Sequence, residues 1–175
     1  MRVLLLSRSP GRAEVLARAE VDFVQVAPPF DDPAAADAGL RGVEAAGVFA
    51  RELASQKLCS CTAAVLRDAG AEGVPAGMWA VAADTVCVGA NGRALGKPET
   101  AAEAEAMLRG FIDAEHAVVT GLALGRVAET GGVEVGAGVR PWFEVATVAW
   151  GGVDAIDLGR YVASARGGAR AAGTT

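Results

Sequence analysis

The chain opens on an unbroken apolar run, "VLLL" at residues 3–6, which stops at the polar turn "SRSPGR". A run this short, closed by Pro and Gly, predicts a buried strand over 2–6, followed by a helical stretch from about Gly11 to Glu20. "DFVQVA" (22–27) predicts a second strand that ends at Pro28-Pro29, and "PPFDDPAAADAG" is a proline-rich loop. From about Leu40 to Ala69, apolar positions at Val43, Ala46, Phe49, Ala50 and Leu53, and then Val65 and Leu66, recur at helical spacing and predict one long Ala-rich helix. A Gly- and Pro-containing loop (70–77) leads to an apolar run holding Val81 and Val86 to Val88, a buried strand with Asp84 inside it.

Asn91-Gly92 between apolar runs predicts a hairpin at 89–93. Thr100 and Glu103 form a capping box, predicting a helix to about Phe111. "HAVVTGLALGRVA" (116–128) and "WFEVATVAW" (142–150) predict two long strands joined by the Gly-rich "ETGGVEVGAGVR", and a last helix is predicted over 153–163. The tail "ARGGARAAGTT" (165–175) has no apolar periodicity and reads as frayed. Strands alternate with helices and nothing repeats, so the pattern predicts an α/β domain over 1–164 with a mixed sheet.

Composition narrows the chemistry. With 175 residues, 52% hydrophobic and 21% charged, the chain can bury a real core and is not a disordered segment. A net charge of −5 argues against binding a nucleic-acid backbone. No apolar run reaches the roughly 18 to 20 residues of a membrane span, and the opening stretch is too brief for a signal peptide. Cys59, Cys61 and Cys87 make an odd set without a CxxC pair, which fits a reducing compartment and predicts a cytoplasmic protein. His116 is the only histidine, so a paired-histidine zinc site is out, and no G-x-S-x-G elbow is present. Any metal must be a hard cation held by carboxylates, water and substrate oxygens. Taken alone, His116 reads as a strand-start histidine satisfied by hydrogen bonds.

Several residues are placed for more than packing. In "SRSPGR", Ser9 reads as a helix N-cap with Pro10 at the first helical position. The same strand-to-helix turn can cup an anion with Ser7, Ser9, the backbone amides and Arg12. Lys57 stands in a neutral, apolar helical stretch and by itself reads as solvated; Cys59 and Cys61 beside it read as small core residues. Asp84 is sharper, because a lone carboxylate in an apolar strand costs several kcal/mol unless it is paired. Lys97 is held on a restricted backbone by Pro98, and Asp31 and Asp32 are either metal ligands or a plain polar loop. Together these residues suit cleavage of a phosphoanhydride. Carboxylates can hold Mg²⁺ and activate water while cations offset charge at phosphorus.

The order of these segments resembles the Maf family of nucleoside triphosphate pyrophosphatases. The resemblance runs from "LLLSRSPGRAEVL" through "PPFDD", "ARELASQK", "AADTVCVGANGRALGKPET", "AEAMLRGFIDAEHAVVTGLAL" and "FEVATVAW" to "RYVAS". It implies an α/β fold, a mixed twisted sheet with flanking helices in two lobes around a central cleft, as in inosine triphosphatase-like proteins. It also implies a homodimer that cleaves a nucleoside triphosphate at the α–β bond to the monophosphate and pyrophosphate, with Mg²⁺ or Mn²⁺. Neither a membrane nor a nucleic-acid polymer is an implied partner. Residue by residue, Ser7, Ser9 and Arg12 match the family's phosphate-binding loop, and Lys57, Asp84 and Lys97 match its catalytic lysine, aspartate and lysine. Asp84 would activate water or bind metal, Lys57 and Lys97 would steady the phosphates, and Asp32, where the family has glutamate, would help hold the cation. Three departures are visible. Gly11 stands where the family has the first arginine of S-P-R-R, Asp32 is one methylene short, and residues 165–175 do not carry the family's Glu-containing segment or its "AG-x-Y-x-x-Q-G". The departures predict reduced activity and leave an alternative, a paralogue that binds nucleotide or a protein partner without turnover.

Overall fold

The computed structural model describes all residues except 34, 36, 37, 72, 99, 135–140, 152–154 and 165–175, and omits the side chains of 155 and 156. The predicted frayed tail and the "GAGVR" part of the last linker therefore lie outside the described residues.

The opening apolar run forms β1 (Arg2–Leu6), flanked by two parallel strands, β2 (Asp22–Val26) and β3 (Trp79–Val88). A strand with parallel neighbours on both sides and cover on both faces is buried throughout, which explains why it reads as continuous rather than alternating. Helix α1 (Pro10–Arg18) links β1 to β2. The predicted hairpin is present: β4 (Ala94–Leu95) returns antiparallel to β3, pairing Leu95 with Cys87 and Ala94 with Val88. The long strand β5 (Glu115–Val127) pairs with β7 (Trp142–Ala149) and, antiparallel, with a short β6 (Val133–Glu134) inside the segment expected to be a linker. The strand order is β2-β1-β3-β5-β6, a mixed sheet in an α/β fold.

The long helix predicted over 40–69 is two helices, α2 (Gly42–Cys59) and α3 (Ala63–Asp68). The break has one cause nearby and one far along the chain. Thr62 caps α3, its hydroxyl accepting from Val65 N at 3.4 Å, and the Cys61 carbonyl accepts from Val133 N at 2.8 Å instead of continuing the helix. The apolar spacing persists across the break because Leu58, Cys61 and Leu66 reach the same core. The remaining helices, α4 (Ala101–Arg109) and α5 (Ala155–Ala163), follow the predicted pattern, and Thr100 caps α4 by accepting from Glu103 N at 3.1 Å.

The described residues fall into two compact units. The first comprises Met1–Asp32, Gly47–Thr85 and Thr120–Glu144; the second comprises Pro33–Ala46, Val86–Val119 and Val145–Thr175. In the first, Leu4, Leu6, Ala80, Ala82, Ala123 and Val127 of the sheet meet Ala54 and Leu58 of α2 and Leu66 of α3. Two glycines let α2 settle closely. A Cβ on Gly121 of β5 would collide with the Ala50–Arg51 peptide, and one on Gly47 would strike the Phe143 ring. In the second unit, Leu108 and Phe111 pack with Leu158 and Val162. Among the described residues, no helix is long and apolar enough to cross a membrane, and all three cysteines are free.

Candidate active site

The β1–α1 turn builds itself as the sequence predicts. Ser9 caps α1, its hydroxyl accepting from Arg12 N at 3.2 Å, with Pro10 at the helix start. Ser7, also buried, accepts twice at its hydroxyl, from Ser9 N at 3.0 Å and from Arg12 Nη1 at 3.3 Å. The loop is anchored from behind, since Ser7 N donates to Val26 O at 3.0 Å and Gln25 Nε2 donates to Ser7 O at 2.8 Å. Both hydroxyls accept from the loop itself, Ser7 twice and Ser9 once, which leaves their protons, the first-turn Gly11 amide and the remaining Arg12 N–H groups available to an anion. A Cβ on Gly11 would meet only Ser9 Oγ, at 3.7 Å, so the position has room for a side chain.

Lys57 is not solvated, contrary to its sequence reading. Ala50, Leu53, Ala54, Lys57 and Leu58 share the buried stripe of α2, and Lys57 is 5% exposed. Its ammonium lies at 2.5 Å from Asp84 Oδ1 on β3 and 2.8 Å from Asp32 Oδ1 in the loop after β2. A buried amine keeps its charge only with such partners. The pairing also answers why Asp84 tolerates an apolar strand. Burial pushes the Asp84 carboxyl up, the Lys57 ammonium pulls it down by charge and hydrogen bond, Asp32 pushes it up and Arg12 pulls it down. Burial lowers the Arg12 guanidinium, while Asp84 and Asp32 raise it, so both cations feel both carboxylates.

Asp32 and Asp84 converge on a single point, the Lys57 ammonium, from two elements, and Asp84 Oδ2 has no protein partner among the described residues. Two carboxylates aimed at one point fit a hard divalent cation. No group of three or more His, Cys, Asp or Glu among the described residues could cage one, so the other ligands would be water and substrate oxygens, as Mg²⁺ prefers. Asp31 is exposed and makes no ion pair among the described residues.

Ser7, Ser9, Arg12, Asp32, Lys57 and Asp84 are all in the first unit. Lys97 belongs to the second, exposed between β4 and α4. Sequence reasoning missed two further polar groups of the first unit. Arg12 Nη2 donates to Thr85 Oγ1 at 3.2 Å, and the Thr85 and Thr120 hydroxyls lie 3.3 Å apart. Their signal was present, a threonine beside Asp84 and another beside a glycine forced by close packing. His116 also differs from its reading. It is buried, its ring is stacked on Phe111 at 3.9 Å and 17°, and Nδ1 has no hydrogen-bond partner among the described residues.

Comparison with known proteins gives the family. A family model described as "Maf-like protein" matches residues 2–175. A protein of Ralstonia nicotianae named dTTP/UTP pyrophosphatase is 34% identical over 162 residues, 91% of this chain and 70% of the relative. Proteins with the same name from Methylobacillus flagellatus (39% identical; 77% of this chain, 58% of the relative) and Thermomicrobium roseum (40% identical; 72% and 50%) are similar over shorter stretches. The chain thus matches between half and 70% of the length of these relatives.

Proposed function

Since this chain belongs to the Maf family, we propose that it hydrolyses a nucleoside triphosphate at the α–β phosphoanhydride to the monophosphate and pyrophosphate. The names of its relatives make dTTP and UTP the first substrates to test. The observation that carries the reading is the Lys57 ammonium held between Asp32 and Asp84, in the same unit as the Ser7–Arg12 loop.

In this reading the β1–α1 turn binds phosphate oxygens through the Ser7 and Ser9 hydroxyl protons, the Gly11 amide and Arg12, fixing the chain of phosphates by its charged end. Water attacks the α-phosphorus, Asp84 accepts its proton at Oδ2, and the α–β bond breaks with pyrophosphate leaving. Lys57 steadies the developing charge, and the family resemblance alone assigns Lys97 the same role. A divalent cation, Mg²⁺ or Mn²⁺, would be held by Asp32 and Asp84 and would supply further charge neutralisation on the phosphates. Thr85 and Thr120 keep the Arg12 guanidinium in place. We further propose a homodimer in the cytoplasm, a location that fits three free cysteines.

The test is pyrophosphate release from dTTP, UTP and the other nucleoside triphosphates, with Mg²⁺ or Mn²⁺, beside Asp84→Asn. Release that falls by about 10²-fold or more in the variant supports the assignment, since a positioned base contributes that much. Nucleotide binding without release would instead make this a binding protein on an enzyme's fold, a reading favoured by the missing charge at Gly11.

A further inference from the structure

The charges of the candidate site already balance. Asp32 and Asp84 contribute two negative charges, and Lys57 and Arg12 contribute two positive ones that interact with both carboxylates. The ammonium also stands where two carboxylates aim together, the place a divalent cation would take. Its position is not that of a loose side chain. It is buried on the core-facing stripe of α2, it is 2.5 and 2.8 Å from the two oxygens, and α2 itself is seated against β5 where Gly121 admits no Cβ.

We infer that Lys57 is a built-in cation that occupies the divalent-metal position until substrate phosphates draw its ammonium away, so that metal enters together with nucleotide and not before it. The inference rests on the proposed phosphoanhydride chemistry and adds an order of events to it. A divalent ion arriving alone would meet a neutral cluster and be repelled by a fixed ammonium a few ångströms away. A nucleotide brings its own negative charge. Its phosphate oxygens offer the ammonium a new acceptor and offer the metal the ligands that Asp32 and Asp84 lack. The ammonium sits on a four-carbon stem with several rotatable bonds, so the nitrogen can re-aim while α2 stays seated. Divalent metal and Lys57 are then alternatives at one place, and removing the amine should open the place to metal in the absence of substrate.

The experiment is a Mn²⁺ titration of the nucleotide-free protein, with unbound Mn²⁺ read by electron paramagnetic resonance and melting temperature measured alongside. Wild type should bind Mn²⁺ weakly, and Lys57→Met should bind one Mn²⁺ at least about tenfold more tightly, which is a difference of about 1.4 kcal/mol. Mn²⁺ should raise the melting temperature of Lys57→Met more than that of wild type, and Asp84→Asn in the Lys57→Met background should abolish the gain. Lys57→Gln, which removes the charge but keeps a donor, serves if the methionine variant does not fold. Tight Mn²⁺ binding by nucleotide-free wild type, or equal affinity in wild type and the Lys57 variants, would overturn the inference. None of these readouts needs turnover, so an inactive protein with the expected Mn²⁺ behaviour would count against the proposed hydrolysis alone.

Discussion

Lys57 and His116 are both buried ionisable side chains, one in each unit, and the chain treats them oppositely. Lys57 is met by two carboxylates delivered from β3 and from the loop after β2. His116 is met by aromatic carbon. Its ring stacks on Phe111, which in turn meets Trp150 edge-on at 6.0 Å, and its Nδ1 has no partner among the described residues. Burial lowers the His116 pKa from its ordinary 6.5, so the ring is neutral at pH 7. Both side chains are buried, and among the described residues only Lys57 is met by counter-charges. A buried charge that the fold takes trouble to pair marks where chemistry is prepared, whereas a buried group left to shed its charge marks packing.

The same kind of substitution at the two sites should therefore have opposite signs. Without divalent cation, Lys57→Met should lower the unfolding free energy by about 3 kcal/mol in urea denaturation, because it strands two adjacent carboxylates. An unchanged or higher stability would mean that Asp32 and Asp84 do not depend on the amine. Gly121→Ala sharpens the point without touching any charge. Its new methyl would press on the Ala50–Arg51 backbone and move α2, costing about 2 kcal/mol and, if Lys57 must be placed by α2, most of the activity. Full activity in a folded Gly121→Ala protein would detach the site from that helix seat.

His116→Phe should stabilise the fold by about 1 kcal/mol, because it removes an unsatisfied buried nitrogen while keeping the stack. It should also flatten part of the pH profile. As pH falls below 6.5 the unfolded chain takes up a proton at His116 before the folded chain does, so wild type loses stability from there down to the lowered folded value. Chemical denaturation of both proteins at several pH values checks this, and parallel profiles would show that the ring is not held neutral. The smallest effect is expected at Gly11→Arg, which fits the available space and adds one partly exposed charge. A roughly threefold lower KM in steady-state kinetics is the scale of such a charge.

Local chemistry was legible in the sequence where it is settled locally. Ser9 and Thr100 cap their helices because a hydroxyl, a following turn and a spacing of three residues suffice. The buried β1 and the Asn-Gly hairpin could be read for the same reason. The break at 60–62 could not, since it depends on a hydrogen bond from Val133, far along the chain, and the apolar spacing on its two sides stays in phase. Lys57 sits between these cases. Its residue type argued for solvent, yet it shares a helical stripe with Ala50, Leu53, Ala54 and Leu58, and that stripe was in the sequence. What only the fold supplies is the pair of carboxylates. The orphaned His116 nitrogen is likewise a property of what surrounds it, and residue type gave the wrong expectation.

The three-piece composition of the first unit also bears on how the protein is made. Its stretches end at residues 32, 85 and 144, with segments of the other unit emerging between them. As the chain leaves the ribosome, Ser7, Arg12, Asp32, Lys57 and Asp84 are all synthesised well before β5, on which the seat of α2 depends. Until that strand is out, the charged groups have no packed core to hold them. Neither unit can be expressed as one uninterrupted segment, and the contacts that complete the first are distant in sequence, a pattern that slows folding. Synthesis must pass β5 before the seat of α2 is complete.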